Sequence, residues 1–68
     1  MLAIIIKIWQ ARDAKNISLR KLERLTGISK TTLNDLEDSK HSPNLNQLEK
    51  IAIALNVKIS DLYDSEYK

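Results

Sequence analysis

The sequence predicts a single all-helical domain, and three observations lead to that fold class. Apolar residues recur at steps of three and four along most of the chain, which places them on one face of a helix. Serine or asparagine stands before each later apolar run, where a helix N-cap is expected. The 68 residues are 43% hydrophobic and 29% charged, which is typical of an ordinary soluble fold. We expect one domain over residues 1–68, with a frayed polar tail at residues 64–68.

The first helix is predicted over residues 2–15, where Ile4, Ile8 and Ala11 lie on one face and turn to the core. The β-branched run at residues 4–6 also fits a buried strand, but the length of the segment favours a helix. Its apolar stretch is interrupted by a lysine and is shorter than the about 20 residues of a transmembrane helix. We therefore expect a cytoplasmic protein without a membrane partner.

The same helix is expected to carry an apolar patch. Leu2, Ile6 and Trp9 fall on the side opposite the core-facing residues. Three large apolar side chains are not expected to remain in water. Two sources of cover are open, namely the C-terminal tail with Tyr63 or Tyr67, or another protein chain.

Two short helices follow, and both begin with the same pattern. Residues 17–22 and 28–33 each contain an isoleucine, then a serine, then a leucine four residues after the serine. The serine hydroxyl caps a helix N-terminus, and the isoleucine can pack on the leucine as a hydrophobic staple. The helices therefore begin at Leu19 and Lys30. Between them stands Gly27, the residue type best suited to a left-handed helix stop.

The remaining elements also have recognisable ends. Asn44 and Gln47 predict a capping box at the start of a fourth helix, and Asn56 is a plausible stop. Ser60 is expected to cap a last short turn at residues 61–63.

The composition excludes several kinds of catalytic and metal site. The chain has no cysteine, and His41 is its one histidine, so a disulfide, a thiolate nucleophile or a zinc site is not expected. One glycine leaves no room for a phosphate-binding loop. We expect no enzyme activity, no catalytic residues, no cofactor and no metal.

The charge is divided unevenly between the two halves. Residues 1–34 hold seven basic and two acidic residues, a net charge of +5, whereas residues 35–68 hold four lysines and seven acids, a net charge of −3. Such asymmetry suggests a face for a polyanion, although an ordinary solvated surface is the alternative. Two helices joined by a glycine-containing turn also form the helix-turn-helix arrangement, whose second helix can enter the major groove of DNA. The same arrangement occurs in small helical bundles that bind no DNA.

An ordered set of residues, which extends over about residues 4–63, makes the interpretation more specific. The set is Arg12, Ser18 to Leu22, Thr26 to Ser29, Leu33, Leu36, Glu37, Lys40, Pro43, Leu48, Ile51, Ala52, Ala54 to Val57 and Ser60 to Tyr63. In its order and spacing it resembles the Cro/phage-repressor type of helix-turn-helix, the XRE family. The resemblance implies a compact five-helix bundle of the lambda-repressor-like type, with the motif at about residues 18–37 and the third helix as DNA reader.

Four residues depart from the family pattern. Glu23 stands where the family usually has alanine, in a tight place between the paired helices, so it must extend to solvent or find a cationic neighbour. Asp35 and Asp38 replace arginine or lysine, and Ser39 replaces glycine. Carboxylates repel phosphates, which argues against phosphate contacts from this end of the helix. Asp35 could instead accept a hydrogen bond from a cytosine amino group.

The polar face of the third helix supplies the candidate base contacts. Lys30 can reach guanine O6 and N7 or a phosphate, Asn34 can pair with adenine, and the Thr31 methyl can touch a thymine methyl. Ser29 caps the helix and is also a candidate phosphate contact. A merely solvated polar face is the alternative.

The resemblance implies further roles outside that face. Ser18, Arg20 and Lys40 flank the groove in this family and are candidate phosphate contacts, which set register rather than sequence choice. Arg12 and Glu37 occupy positions that form an internal ion pair, with a structural rather than a functional role.

These features together predict a sequence-specific transcriptional regulator that binds double-stranded DNA. One short helix reads few base pairs, so we expect a homodimer on an inverted-repeat operator. Its interface is expected in the apolar C-terminal region of Val57, Ile59, Leu62 and Tyr63. The alternatives are an antitoxin that binds a partner protein and its own operator, a controller of a restriction–modification system, and a helical bundle with no nucleic-acid role.

Overall fold

The two ends of the described chain meet in a short antiparallel ribbon. In the computed structural model, which describes residues 4–67, β1 (Ile5–Ile6) pairs with β2 (Tyr63–Asp64), with Ile5 opposite Asp64 and Ile6 opposite Tyr63. Between the two strands the chain is helical. The elements in order are α1 (Ile8–Ala14), α2 (Leu19–Thr26), α3 (Lys30–Glu37), α4 (Leu45–Leu55) and a 3-10 helix (Ile59–Leu62).

The expected five-helix bundle is corrected to four α-helices within residues 4–67. The fifth segment, Ile59–Leu62, is a 3-10 helix of four residues that leads directly into β2. Its first turn is closed by the Asp61 carboxylate, which accepts a hydrogen bond of 3.1 Å from the Lys58 N–H, so the predicted cap at Ser60 is wrong. Asp64, expected in the frayed tail, belongs to the ribbon.

The first helix is shorter than residues 2–15. It begins at Ile8, because the preceding backbone is used by the ribbon: the Lys7 N–H donates to the Leu62 carbonyl at 2.8 Å. Residues 5 and 6 therefore form a strand and the helix prediction is wrong there, but the strand is not buried as expected, since Ile5 is 60% exposed. The predicted start at Leu2 lies outside the described residues.

The core is formed by aliphatic side chains from all four α-helices and the 3-10 helix. Trp9 and the other large exposed apolar residues lie outside it. The predicted inward residues of α2, α3 and α4 are buried as expected, and their isoleucine partners in the hydrophobic staples are half-buried against them. The buried set is Ile8, Leu22, Leu33, Leu36, Leu48, Ile51, Ala52, Leu55 and Leu62.

The predicted apolar patch is partly corrected. Ile6, expected on the side away from the core, lies in β1 opposite Tyr63 and packs against the core. Ile4, expected in the core, is 58% exposed, and Trp9 is 48% exposed. Leu2 lies outside the described residues. Successive residues of a strand point to opposite faces, so Ile6 turns to the core while Ile5, its neighbour in β1, is 60% exposed.

The predicted dimer surface is also changed by the fold. Leu62 is fully buried, while Val57 and Ile59 pack against the core, so this C-terminal set offers little free apolar surface. Within residues 4–67, no helix has the length and hydrophobicity that a bilayer crossing requires.

Candidate nucleic-acid interface

The α2–turn–α3 unit is formed by the local signals that the sequence contains. Ser18 Oγ accepts from the Lys21 N–H at 3.1 Å and begins α2, and Ser29 Oγ accepts from the Thr32 N–H at 3.2 Å and begins α3. Gly27 ends α2 in the left-handed conformation, with φ of 75°. The turn therefore has the short, glycine-containing form of a helix-turn-helix.

One face of α3 is buried and the other is free. Leu33 and Leu36 are 0% and 1% exposed, whereas Lys30, Thr31 and Asn34 are exposed. Among residues 4–67, the side-chain amide of Asn34 makes only a long contact of 3.5 Å, with Asp38 one turn further on. The polar side of α3 thus presents donors and acceptors that are available to base edges.

The candidate phosphate contacts lie at the ends of these helices. Ser18 and Arg20 are exposed at the start of α2, and Lys40 is exposed in the loop after α3. Arg20 has no ion pair with any residue of the described range, so its guanidinium is free for an external anion. Lys40 is less free, because its Nζ lies 3.9 Å from Asp35 Oδ1. All seven predicted contact residues, Ser18, Arg20, Ser29, Lys30, Thr31, Asn34 and Lys40, are exposed.

The end of α3 is held by the predicted ion pair between Arg12 and Glu37, which the structure confirms. Arg12 Nε donates to Glu37 Oε2 at 2.9 Å and Arg12 Nη2 donates to Oε1 at 3.2 Å. Arg12 Nη1 also donates to the Ile17 carbonyl at 3.0 Å. The hydrogen bond with Glu37 raises the pKa of Arg12, and partial burial opposes that rise. The guanidinium therefore stays charged and fixes the end of α3 against α1.

Glu23 has a different partner from the one that the sequence suggested. Its Oε2 accepts from the backbone N–H of Lys30 at 2.8 Å, rather than from a cationic side chain. Sequence reasoning identified Glu23 only as a departure from the family pattern. No pattern within either helix indicates this contact, because it joins α2 to the first N–H of α3 across the turn.

Asp35 is a second carboxylate whose surroundings the sequence did not reveal. It is half-buried, and its Oδ2 lies 3.7 Å from His41 Nε2, while its other oxygen faces Lys40. Both neighbours come from the loop after α3. Asp38 remains exposed. The negative charge of Asp35 is thus directed into the protein's own loop, which weakens its repulsion of a phosphate.

Two other concave surfaces among residues 4–67 are lined by residues outside the predicted contact set. A groove of about 320 Å³ lies between the ribbon and the start of α4, with Ile6, Leu48 and Pro43 in its lining, and it includes none of the predicted contact residues. Within residues 4–67, no group of three or more histidine, cysteine, aspartate or glutamate side chains is placed to hold a metal ion.

A capped helix pair with a glycine turn, a free polar face on its second helix and the exposed Arg20 on its first helix is the arrangement expected of a helix-turn-helix DNA-binding domain. The family model for the Cro/C1-type HTH DNA-binding domain matches residues 7–67. The chain belongs to this family, as the resemblance implied. The family consists of DNA-binding domains rather than enzymes.

Relatives with known names or structures agree with this assignment. The chain is 31% identical over 67 residues to the HTH-type transcriptional regulator SlrR of Bacillus subtilis. The aligned region covers 97% of this chain and 43% of SlrR. The chain therefore spans less than half the length of that relative. The N-terminal DNA-binding domain of SinR from Bacillus subtilis is 30% identical, with a TM-score of 0.78 and 91% of each chain covered.

A third comparison concerns the fold alone. The restriction–modification controller protein C.AhdI from Aeromonas hydrophila matches with a TM-score of 0.74 and 24% identity, over 78% of this chain and 80% of that one. The helical arrangement is therefore shared with a protein of the class that the sequence left open as an alternative.

Proposed function

We propose that this chain is a sequence-specific regulator of transcription that binds double-stranded DNA as a homodimer on an inverted repeat. It acts in the cytoplasm, where it inserts α3 into the major groove. Lys30, Thr31 and Asn34 read base edges, while Ser18, Arg20, Ser29 and Lys40 contact phosphates.

The observation that carries this proposal is the division of α3 into two faces. Leu33 and Leu36 anchor the helix in the core, and the Arg12–Glu37 pair fixes its end, so the exposed residues are held on a rigid support. A rigid support matters because base contacts need a fixed register against the duplex. The family assignment and the likeness to the SinR DNA-binding domain support the same function.

The experiment that tests it is selection of bound sites from random duplex DNA. A recovered motif with two related half-sites, whose centres are about 34 Å apart, supports a dimer that reads successive major grooves. Recovery of random sequences only would contradict sequence-specific binding.

A salt titration separates this function from that of a helical bundle without a nucleic-acid role. Each phosphate contact by a lysine or arginine lowers the logarithm of the binding constant by about 0.9 per tenfold increase in salt. With Arg20 and Lys40 engaged at phosphates, we expect a slope of about −2 per protomer. A slope near zero would contradict a phosphate-binding face.

Homodimer formation has its own measurement. Sedimentation at micromolar concentration is expected to show a dimer of the free protein and two copies of the protein on each selected operator. A single half-site is the control and should bind one copy more weakly. One copy on the full operator would contradict the homodimer.

A further inference from the structure

Glu23 joins the two helices of the motif through a contact at the reading end of α3. Its carboxylate accepts a hydrogen bond of 2.8 Å from the backbone N–H of Lys30, across the turn at residues 27–29. Glu23 is half-buried on α2, and Lys30 is the first residue of α3. The contact therefore fixes α3 to α2 at the end that presents side chains to bases.

The same contact places a negative charge at the N-terminus of α3. The first turn of α3 has no acidic residue of its own. The Thr32 N–H is satisfied by Ser29 and the Lys30 N–H by Glu23. A helix N-terminus carries partial positive charge, and DNA-binding helices use it to bind backbone phosphates. In this chain an internal carboxylate already occupies that position.

We propose that Glu23 is a selectivity residue, an inference that depends on the DNA-binding function proposed above. By occupying the Lys30 N–H and by repelling negative charge, its carboxylate keeps a DNA phosphate from the backbone N–H groups that open α3, so a phosphate at this end contacts the Ser29 hydroxyl and not the helix backbone. The helix then meets DNA through the side chains of Lys30, Thr31 and Asn34. Binding consequently depends more on base sequence and less on the DNA backbone.

The test is the substitution Glu23→Gln, which keeps an oxygen acceptor for the Lys30 N–H and removes the charge. We expect the melting temperature to change little and random-sequence duplex to bind about 2–5-fold more tightly at low salt, because one repulsive charge is gone. The gain on the selected operator should be smaller, so the ratio of specific to random binding falls. Glu49→Gln removes the same charge from an exposed position on α4 and should leave that ratio unchanged.

A second variant separates the charge from the hydrogen bond. Glu23→Ala loses both, so we expect a lower melting temperature together with the same tighter binding to random duplex. An unchanged binding ratio in Glu23→Gln, or an equal change in Glu49→Gln, would overturn the selectivity role. If the unaltered protein showed no salt-dependent DNA binding, the proposed function itself would fail, and that result is visible before any variant is compared.

Discussion

Arg12 and Glu37 join α1 to the end of α3 by two parallel hydrogen bonds of 2.9 and 3.2 Å. Their side chains are 20% and 7% exposed, so both charges are largely removed from water. A third donor of the guanidinium satisfies the Ile17 carbonyl, just before α2 begins. The Arg12 side chain therefore joins α1 to the end of α3 and to the residue before the N-cap of α2, and the position of α3 depends on it.

The substitution Glu37→Gln is expected to lower the free energy of unfolding by about 2–4 kcal/mol, because it leaves the Arg12 charge poorly compensated in a partly buried place. Urea or thermal denaturation measures the loss. Glu49→Gln is the matched control on an exposed position and should change stability by less than about 0.5 kcal/mol. A Glu37→Gln variant with unchanged stability but lost DNA binding would contradict the structural role.

A substitution at Gly27 is expected to act on backbone conformation and not on side-chain packing. Its φ is 75°, and a Cβ built at this position has no neighbouring atom within 4 Å. Gly27→Ala should therefore destabilise the fold by about 1–2 kcal/mol through backbone strain alone. Gly27→Asn should cost less, because asparagine adopts the left-handed conformation more readily. Equal losses in the two variants, measured by urea denaturation, would show that the strain argument is wrong.

The parts of the fold that the sequence predicted are those encoded within a few residues. Ser18, Ser29 and Gly27 define helix ends by contacts that reach only three or four positions, so their pattern is visible in the chain. The ribbon was not predicted, because Ile5 pairs with Asp64 at the opposite end of the described chain. Short β-branched runs do not reveal whether such a distant partner exists.

In the candidate DNA-binding site too, the features encoded within one helix could be predicted and those that depend on contacts between elements could not. That Lys30, Thr31 and Asn34 share a face could be read from helical periodicity, and all three are exposed. The contact between Glu23 and the Lys30 N–H could not be predicted from the sequence, because it depends on the angle between α2 and α3 rather than on either helix alone. The pairing of Asp35 with His41 likewise depends on how the loop after α3 returns towards that helix.

Arg20 is expected to contribute to DNA affinity without contributing to sequence choice. Its exposed guanidinium at the start of α2 has no ion pair within residues 4–67. Arg20→Ala should weaken binding to the selected operator and to random duplex by a similar factor, and reduce the salt slope by about one. Lys50→Ala, which removes an exposed cation from α4, is the control and should change the slope much less. A loss confined to the operator would move Arg20 from the phosphate contacts to the base contacts.

Asn34 is expected to contribute to sequence choice, in contrast to Arg20. Its side chain is exposed on the free face of α3, and its long contact with Asp38, at 3.5 Å, costs little to break when DNA binds. A side-chain amide can donate to and accept from the edge of adenine, and a good base contact of this kind is worth about 1–3 kcal/mol. Asn34→Ala should therefore weaken operator binding by about 5–150-fold, which is that energy range expressed as a binding ratio.

The remaining arms of this experiment separate base reading from general affinity. Binding of Asn34→Ala to random duplex should stay close to that of the unaltered protein, because no phosphate contact is lost. Asn46→Ala removes an exposed asparagine from α4 and should leave both affinities unchanged. Gel-shift titrations on operator and random duplex at one salt concentration give all the values. An equal loss on both duplexes would remove Asn34 from the base-reading residues and leave Lys30 and Thr31 as the candidates on this face.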